Sequence, residues 1–200
     1  MSERSTWDEA RLAMARVIAK RSLCSRDQVG AVIVDTRNRI IGEGYNGPPA
    51  GFRHDNQSCT EWCARSSMSA QGLIPPGQSS PGYDDCPSIH AEANALLMSD
   101  RTARLNGTIY VTSFPCTGCL KLISNSGLRH IYIGVDGKHE YRYREDDYET
   151  VRLLGFRITF EDDRSFTKWL SAPGGFIAED GTKWSTENAQ NWCAPSTTKD

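Results

Sequence analysis

The chain has 200 residues and a formal net charge of −2, from 23 lysines and arginines against 25 aspartates and glutamates. This length can bury the core of one domain with some additional segments. The near-neutral balance gives no basic surface of the kind that follows a nucleic-acid backbone, and no stretch is apolar enough to span a bilayer. Met1 to Arg11 lack the apolar core of a secretory signal, so we expect a cytoplasmic protein.

The N-terminal part of the chain predicts one helix followed by a β-hairpin. Apolar residues recur at helical spacing from Trp7 to Arg21, and Thr6 or Ser5 is placed to cap this helix. Glu9 lies three residues after Thr6, which is the spacing of a capping box. Two strands flank a turn at 35–39, and they span Val29–Val34 and Ile40–Tyr45.

The rest of the chain alternates helices with strands after a long loop, Asn46 to Pro87, which is rich in Gly, Pro and Ser. A loop of this length inside a domain needs something to hold it. Beyond it we predict, in order, helix Ile89–Met98, strand Thr108–Thr112, helix Cys116–Ser126 ending at Gly127, strand His130–Val135, helix Glu145–Leu154 and strand Phe156–Phe160. The order αββαβαβαβ predicts an α/β fold, a sheet with a parallel portion covered by helices. We expect residues 1–170 to form the domain and residues 171–200 a tail that is disordered or wraps a neighbouring subunit.

Two short motifs, separated by a helix and a strand, could together hold a metal ion. His90-Ala91-Glu92 supplies an imidazole, and Pro115-Cys116-Thr117-Gly118-Cys119 supplies two thiols on one helix face. Three protein ligands leave a fourth position for water, which is typical of a catalytic zinc rather than a structural one. Both segments open helices, where the dipole and the unpaired N–H groups favour thiolates. We therefore expect a Zn²⁺ site at His90, Cys116 and Cys119.

Together the motifs form the H-x-E…P-C-x-x-C signature, in which the chain resembles the zinc-dependent base deaminases. In that chemistry zinc activates a water that attacks C4 of a cytosine, and Glu92 would carry the protons to N3 and to the leaving ammonia. The alternative for Glu92 is a first-turn carboxylate that only satisfies the helix dipole. Asn94 is interpreted as a residue that supports the helix rather than one that binds substrate.

Four segments between about Trp7 and Phe160 resemble deoxycytidylate (dCMP) deaminases of the cytidine deaminase-like superfamily. They read R-S-L-C-S-R-D-Q-V-G-A-V-I-V (21–34), G-Y-N-G-P-P-A-G (44–51), I-H-A-E-A-N-A-L (89–96) and Y-V-T-S-F-P-C-T-G-C (110–119). The resemblance implies a three-layer sandwich around a five-stranded mixed sheet, and hydrolysis of dCMP, of CMP or of a 5-substituted dCMP to the uracil nucleotide and ammonia. It also implies a homo-oligomer, often hexameric, with activation by dCTP and inhibition by dTTP, and Mg²⁺ could accompany the effector nucleotide.

The same resemblance implies roles for residues outside the zinc motif. Asn46 would reach the sugar of the substrate, and Arg26 falls where a basic residue could meet a phosphate of the substrate or of the effector. The loop and the effector site would be shaped by Gly44, Tyr45, Gly47 and Pro49. The alternative for this segment is an ordinary turn, since Asn-Gly and Pro-Pro are turn signals. The loop at 136–144 has no familiar counterpart and is interpreted as solvated.

A second potential ligand set lies in and near the long loop, and it consists of His54, Cys59, Cys63 and Cys86. The C-x-x-x-C spacing suits zinc, and a closed Cys₃His site would contribute the folding energy that the loop needs. The alternative is thiols that are merely buried, or Asp and water in place of one ligand. Cys24 is interpreted as a core thiol. Seven cysteines in such a chain favour metal sites in a reducing compartment over a disulfide framework.

Two other functions remain open from the sequence. A nucleic-acid deaminase of the tRNA type shares the signature, but it needs a basic, aromatic-lined surface that the charge balance disfavours. The second alternative function is a binding or regulatory module built on an inactive deaminase fold. The intact motif residues argue against it, namely His90, Glu92, Cys116 and Cys119. We therefore expect a nucleotide deaminase that binds neither nucleic acid nor membranes.

Overall fold

The computed structural model describes residues 4–52, 59, 63, 67–68, 71–73, 86–134 and 157–161. The helices and strands are α1 (Trp7–Ala19), β1 (Gly30–Val34), β2 (Ile40–Tyr45), α2 (Ala91–Leu97), α3 (Arg101–Arg104), β3 (Thr108–Val111), α4 (Thr117–Ser126), β4 (His130–Ile133) and β5 (Arg157–Phe160). The predicted helix Glu145–Leu154, the 136–144 loop, the boundary at residue 170 and the 171–200 tail lie outside the described residues.

The local signals in the sequence set most of these boundaries. Thr6 caps α1 with the capping box to Glu9 that the spacing predicts, and α1 ends at Ala19, two residues before the predicted end. Helix α4 ends at Gly127, whose φ of 94° is the left-handed conformation that glycine adopts most readily. Helix α3 was not predicted, because its single turn is too short to give a periodic pattern.

The sheet has the strand order β2-β1-β3-β4-β5. Strand β1 is antiparallel to both of its neighbours, whereas β3, β4 and β5 run parallel to one another. The register pairs Gly30 of β1 with Tyr45 of β2, and Ala31 with Val111 of β3. The loops that precede β1 and follow β2 and β3 therefore meet at one edge of the sheet.

Each face of the sheet packs against helices, which confirms the three-layer arrangement. One core lies under α2 and α4, and its members include Ile33, Ala95, Ile109, Leu120 and Ile131. The other lies under α1 and consists of Leu12, Ala15, Val32, Val34, Tyr110 and Tyr132. Alternate residues of β1 and β3 enter opposite cores, as the period of two in a strand requires.

Within the described part of the chain, no helix has the length and apolar character that a membrane span requires.

Candidate active site

The side chains of the predicted metal site belong to the beginnings of two neighbouring helices. His90 is the N-cap residue of α2, and Cys116 is the N-cap residue of α4, with Cys119 in the first turn of that helix. Neither His90 nor Cys116 uses its side chain to cap its own helix. Both helices cover the same face of the sheet, so the three side chains converge from two positive helix ends.

The distances between the donor atoms suit a tetrahedral zinc ion. His90 Nδ1 lies 3.5 Å from Cys116 Sγ and 3.4 Å from Cys119 Sγ. Zn–N bonds of about 2.0 Å and Zn–S bonds of about 2.3 Å place nitrogen and sulfur ligands about 3.5 Å apart at a tetrahedral angle. Among the described residues, only these three form a group of His, Cys, Asp or Glu with all ligand atoms within 4.8 Å of one another. The donor set therefore fits the metal.

The two thiols share one negative charge before a metal binds. A hydrogen bond from Cys119, helped by one from His90, lowers the pKa of Cys116 to about 4. The same interaction with Cys116, together with burial, raises the pKa of Cys119. One thiolate is thus present at neutral pH, and a cation is needed to stabilise the second one. This is the electrostatic setting in which a dication displaces the remaining thiol proton.

Glu92 lies beside the predicted ligands but is not part of their cluster. Its side chain, in the first turn of α2, is only 4% exposed, and burial raises the pKa of its carboxyl group. The carboxyl group also has a hydrogen bond with the Cys119 side chain. A carboxyl group with a raised pKa beside a metal-ligand cluster is suited to accepting and returning protons.

Asn46 lies at the same edge of the sheet, directly after β2, and its amide group already has two backbone partners. Asn46 Oδ1 accepts from the Val29 N–H at 2.8 Å, and Nδ2 donates to the Asp27 carbonyl at 2.9 Å. The backbone carbonyl of Asn46 accepts from Ser22 Oγ at 2.6 Å. Asn46 therefore fastens the loop that contains Arg26, and a contact of its second Nδ2 hydrogen with the substrate sugar stays a prediction.

Arg26 is half-buried, and its guanidinium group is incompletely paired. The NH1 atom is inaccessible to solvent and has no hydrogen-bond partner among the residues that the structure describes. A buried guanidinium nitrogen of this kind suits an anionic ligand, because leaving such a donor unpaired costs free energy.

The four residues assigned to the effector loop differ in exposure. Gly44 and Gly47 are buried, Tyr45 is half-buried, and Pro49 is exposed in a turn closed by the Phe52 N–H. Gly44 packs directly under α2, so the close packing alone explains why a glycine stands at this position. Their part in effector binding stays a prediction.

The described residues of the second ligand set do not form one cluster. Cys63 Sγ lies 3.9 Å from Cys86 Sγ, while Cys59 accepts from the Ser25 N–H at 3.2 Å and has a hydrogen bond with the Cys24 side chain. Cys24 is only half-buried, so its interpretation as a core thiol was wrong. His54 lies outside the described residues.

Two polar residues near the site were not assigned a role there from the sequence. Ser22 holds the Asn46 carbonyl, and Asn94 Nδ2 donates to the Tyr45 carbonyl at 2.8 Å. Ser22 is isolated in the sequence and carries no signal. Asn94 carries a clearer signal. It lies two residues after Glu92 on an apolar helix, where a polar side chain needs a hydrogen-bond partner.

Comparisons with known proteins agree with this site. The family model described as the cytidine and deoxycytidylate deaminase zinc-binding region matches residues 5–135. The chain is 42% identical over 128 residues to the deoxycytidylate deaminase of Mycobacterium phage D29, across 64% of this chain and 94% of that protein. It is 33% identical over 162 residues to the deoxycytidylate deaminase of Mus musculus, across 80% of each.

A solved structure shares the fold. The dCMP deaminase from the cyanophage S-TIM5, in complex with dCMP and dUMP, matches with a TM-score of 0.54 and 23% identity, over 80% of this chain and 99% of that one. The sandwich, the converging ligands and the matching family model lead to one conclusion. The chain belongs to the family of cytidine and deoxycytidylate deaminases defined by this zinc-binding region.

Proposed function

We propose that this protein hydrolyses dCMP to dUMP and ammonia, with zinc held by His90, Cys116 and Cys119 and with Glu92 as the proton carrier. The observation that carries the proposal is the juxtaposition of three zinc donors with a buried carboxyl group at one edge of the sheet. The similarity to deoxycytidylate deaminases from a phage and a mammal supports dCMP as the substrate.

The residues of the site divide the reaction between them. Zinc, when bound, supplies the Lewis acidity that makes water a nucleophile near neutral pH. Glu92 would accept a proton from the water whose oxygen bonds to C4 of the cytosine and would deliver that proton to N3. It would then carry the proton of the new C4 hydroxyl group to the amino group, so that the C4–N bond breaks, the C4 carbonyl forms and ammonia leaves. The raised pKa of Glu92 suits this exchange, because the group holds and releases protons closer to neutral pH than an exposed carboxyl group.

We assign nucleotide recognition to the loops beside the metal site. Arg26 would pair with the phosphate, because its buried NH1 atom is a donor with no partner among the described residues. Asn46 would donate its second Nδ2 hydrogen to the sugar. Nucleotide effectors, dCTP and dTTP with Mg²⁺, would act through the 44–49 segment, and that part of the proposal rests on the sequence resemblance alone.

We also propose a second, structural zinc at Cys59, Cys63 and Cys86. The support is the 3.9 Å separation of Cys63 and Cys86 and the burial of Cys59 and Cys63. The fourth ligand would be either His54, because of its sequence spacing, or Cys24, because of its hydrogen bond with Cys59.

We further propose that the protein is cytoplasmic and forms a homo-oligomer, with a hexamer as the expected size.

The substrate is tested by steady-state kinetics on a panel of compounds. Ammonia release from dCMP, CMP, 5-methyl-dCMP and deoxycytidine is measured with the zinc-loaded protein, each with and without dCTP. We expect dCMP or its 5-methyl derivative to have the highest kcat/KM. Turnover of a tRNA substrate with no turnover of any mononucleotide would contradict the proposal and favour the nucleic-acid deaminase.

A further inference from the structure

Helix α2 is joined to the chain just after β2 by a small set of polar contacts. Gly47 and Ile89 exchange both backbone hydrogen bonds, at 3.1 and 2.8 Å, immediately before His90. The Asn94 side chain adds a third bond, from Nδ2 to the Tyr45 carbonyl. These three bonds connect residues 45–47, which we call the sugar loop because it contains Asn46, to the helix that carries Glu92 and to Ile89, two residues before that helix.

The helix backbone lies directly against strand β2. A Cβ atom added at Gly44 would lie 2.4 Å from the Ala91 carbonyl oxygen and 2.4 Å from the Ala95 nitrogen, and one at Gly42 would lie 2.7 Å from the Ala95 carbonyl oxygen. These two glycines therefore place no side chain between the two backbones, and the local bonds hold the sugar loop against α2.

Asn94 is well placed to set this position. It follows Glu92 by two residues on α2, and its partner Tyr45 directly precedes Asn46. On the other side of the loop, Asn46 is held by Asp27, Val29 and Ser22. Asn94 therefore links the helix that carries Glu92 to the residue next to Asn46.

We propose that Asn94 is a positioning residue that holds the sugar loop in register with Glu92, so that a bound nucleotide presents its base to the metal site. This inference rests on the proposed function, because it concerns the same substrate. The bond to Tyr45 orients the sugar loop and does not touch the reacting atoms. Its loss should therefore weaken nucleotide binding much more than it slows the chemical steps.

The first test compares Asn94→Ala with Ser99→Ala. Ser99 Oγ bonds to the carbonyls of Ala95 and Leu96 at the opposite end of α2, so its loss removes polar contacts of the same helix without touching the sugar loop. We expect Asn94→Ala to raise the KM for dCMP about tenfold, with kcat changed less than threefold and zinc content unchanged. Ser99→Ala should leave both constants near those of the wild type. A lowered kcat with an unchanged KM would overturn the proposal.

The second test is a double-mutant cycle with Asn46→Ala. If Asn94 acts through Asn46, the effects of the two substitutions on the KM for dCMP should be strongly non-additive, because removing Asn46 leaves nothing for Asn94 to position. Additive effects would show that Asn94 only stabilises the helix, and they would overturn the proposal.

Amide hydrogen exchange separates this inference from the proposed function. If the wild-type protein does not turn over dCMP, the function fails, but the role of Asn94 can still be measured. We expect Asn94→Ala to speed exchange at the amides of Gly47 and Ile89 at least tenfold, with no change at Thr112, which bonds to Gly30 in the same edge. Unchanged protection of Gly47 and Ile89 would contradict the positioning role.

Discussion

At the scale of single residues, burial and hydrogen bonds shift the pKa values of the ionisable groups in the site. Burial raises the pKa of Glu92, while hydrogen bonds from Cys119 and His90 lower the pKa of Cys116. The neighbouring thiol, Cys119, keeps its proton because the first thiolate lies beside it. One edge of the sheet therefore holds a buried carboxyl group with a raised pKa, a thiolate and a thiol that a dication would ionise.

Arg26 gives a prediction about the substrate's phosphate. If its buried NH1 atom pairs with that phosphate, Arg26→Ala should lower kcat/KM for dCMP by about tenfold to a hundredfold, because charge-assisted hydrogen bonds to charged groups contribute about 1.5–3 kcal/mol. The kcat/KM for deoxycytidine, which has no phosphate, should barely change. Steady-state kinetics with the two substrates measures this difference.

Arg37 provides the control for Arg26. It is an exposed arginine in the hairpin turn at the other end of β1, so Arg37→Ala removes the same charge away from the site. Loss of the dCTP response in Arg26→Ala, with unchanged basal kinetics, would assign Arg26 to the effector instead. If neither changes, Arg26 binds neither phosphate, and the phosphate contact lies elsewhere.

At the scale of elements, strand β4 carries a half-buried histidine away from the metal site. His130 Nε2 lies 2.9 Å from Thr159 Oγ1 of β5, and Nδ1 lies 3.5 Å from Thr108 Oγ1 of β3. Burial, helped by the charge of Arg157, lowers the pKa of His130 to about 4. The ring is therefore neutral where the parallel strands β3, β4 and β5 pair.

This histidine predicts a pH dependence of stability. The unfolded chain protonates a histidine near pH 6.5, whereas the folded chain resists protonation down to about pH 4, so the unfolded state binds more protons between these values. The contribution of His130 to the free energy of unfolding should fall by about 2 kcal/mol from pH 7 to pH 4.5. Urea unfolding of the wild type and of His130→Gln measures it, and the variant should lose that share of the pH dependence. An equal dependence in both proteins would contradict the assignment.

Local sequence signals predict most of the helices and strands. Strand β3 at the centre of the sheet, the capping box at Thr6 and the glycine that ends α4 were predictable, because each depends on residues within a few positions of one another. The metal ligands were predictable for the same reason, since each motif places its donors at the start of a helix. Helix α3 was missed because one turn gives no period.

The contacts that sequence reasoning could not find join distant segments. Asn94 bonds to Tyr45 across 49 positions, and Cys24 lies beside Cys59 although its own neighbours give no hint of a partner. Such contacts follow from tertiary packing, as where α2 packs closely on β2. Hydrophobic periodicity carries no information about either.

At the scale of the whole molecule, the proposed second zinc would join three cysteines of the chain between β2 and α2, which are Cys59, Cys63 and Cys86. We expect freshly purified protein to contain two zinc ions per chain by metal analysis. Cys63→Ser should retain one zinc and most of its turnover per chain, but it should lower stability or solubility, because a structural zinc contributes folding energy directly. His54→Ala and Cys24→Ser decide which residue supplies the fourth ligand. One zinc per chain in the fresh wild type would reject the site.

In the proposed mechanism three residues hold the metal ion, and Glu92 moves the protons without binding the metal. The most direct measurement determines zinc content and dCMP turnover together in Glu92→Gln, which keeps the size of the side chain but cannot take up a proton. The account predicts an unchanged zinc content and a loss of kcat of at least about 10⁴-fold, since one group serves several proton transfers and each general acid–base role contributes about 10²–10⁴-fold. Turnover of dCMP near the wild-type rate in this variant, with zinc bound, would contradict it.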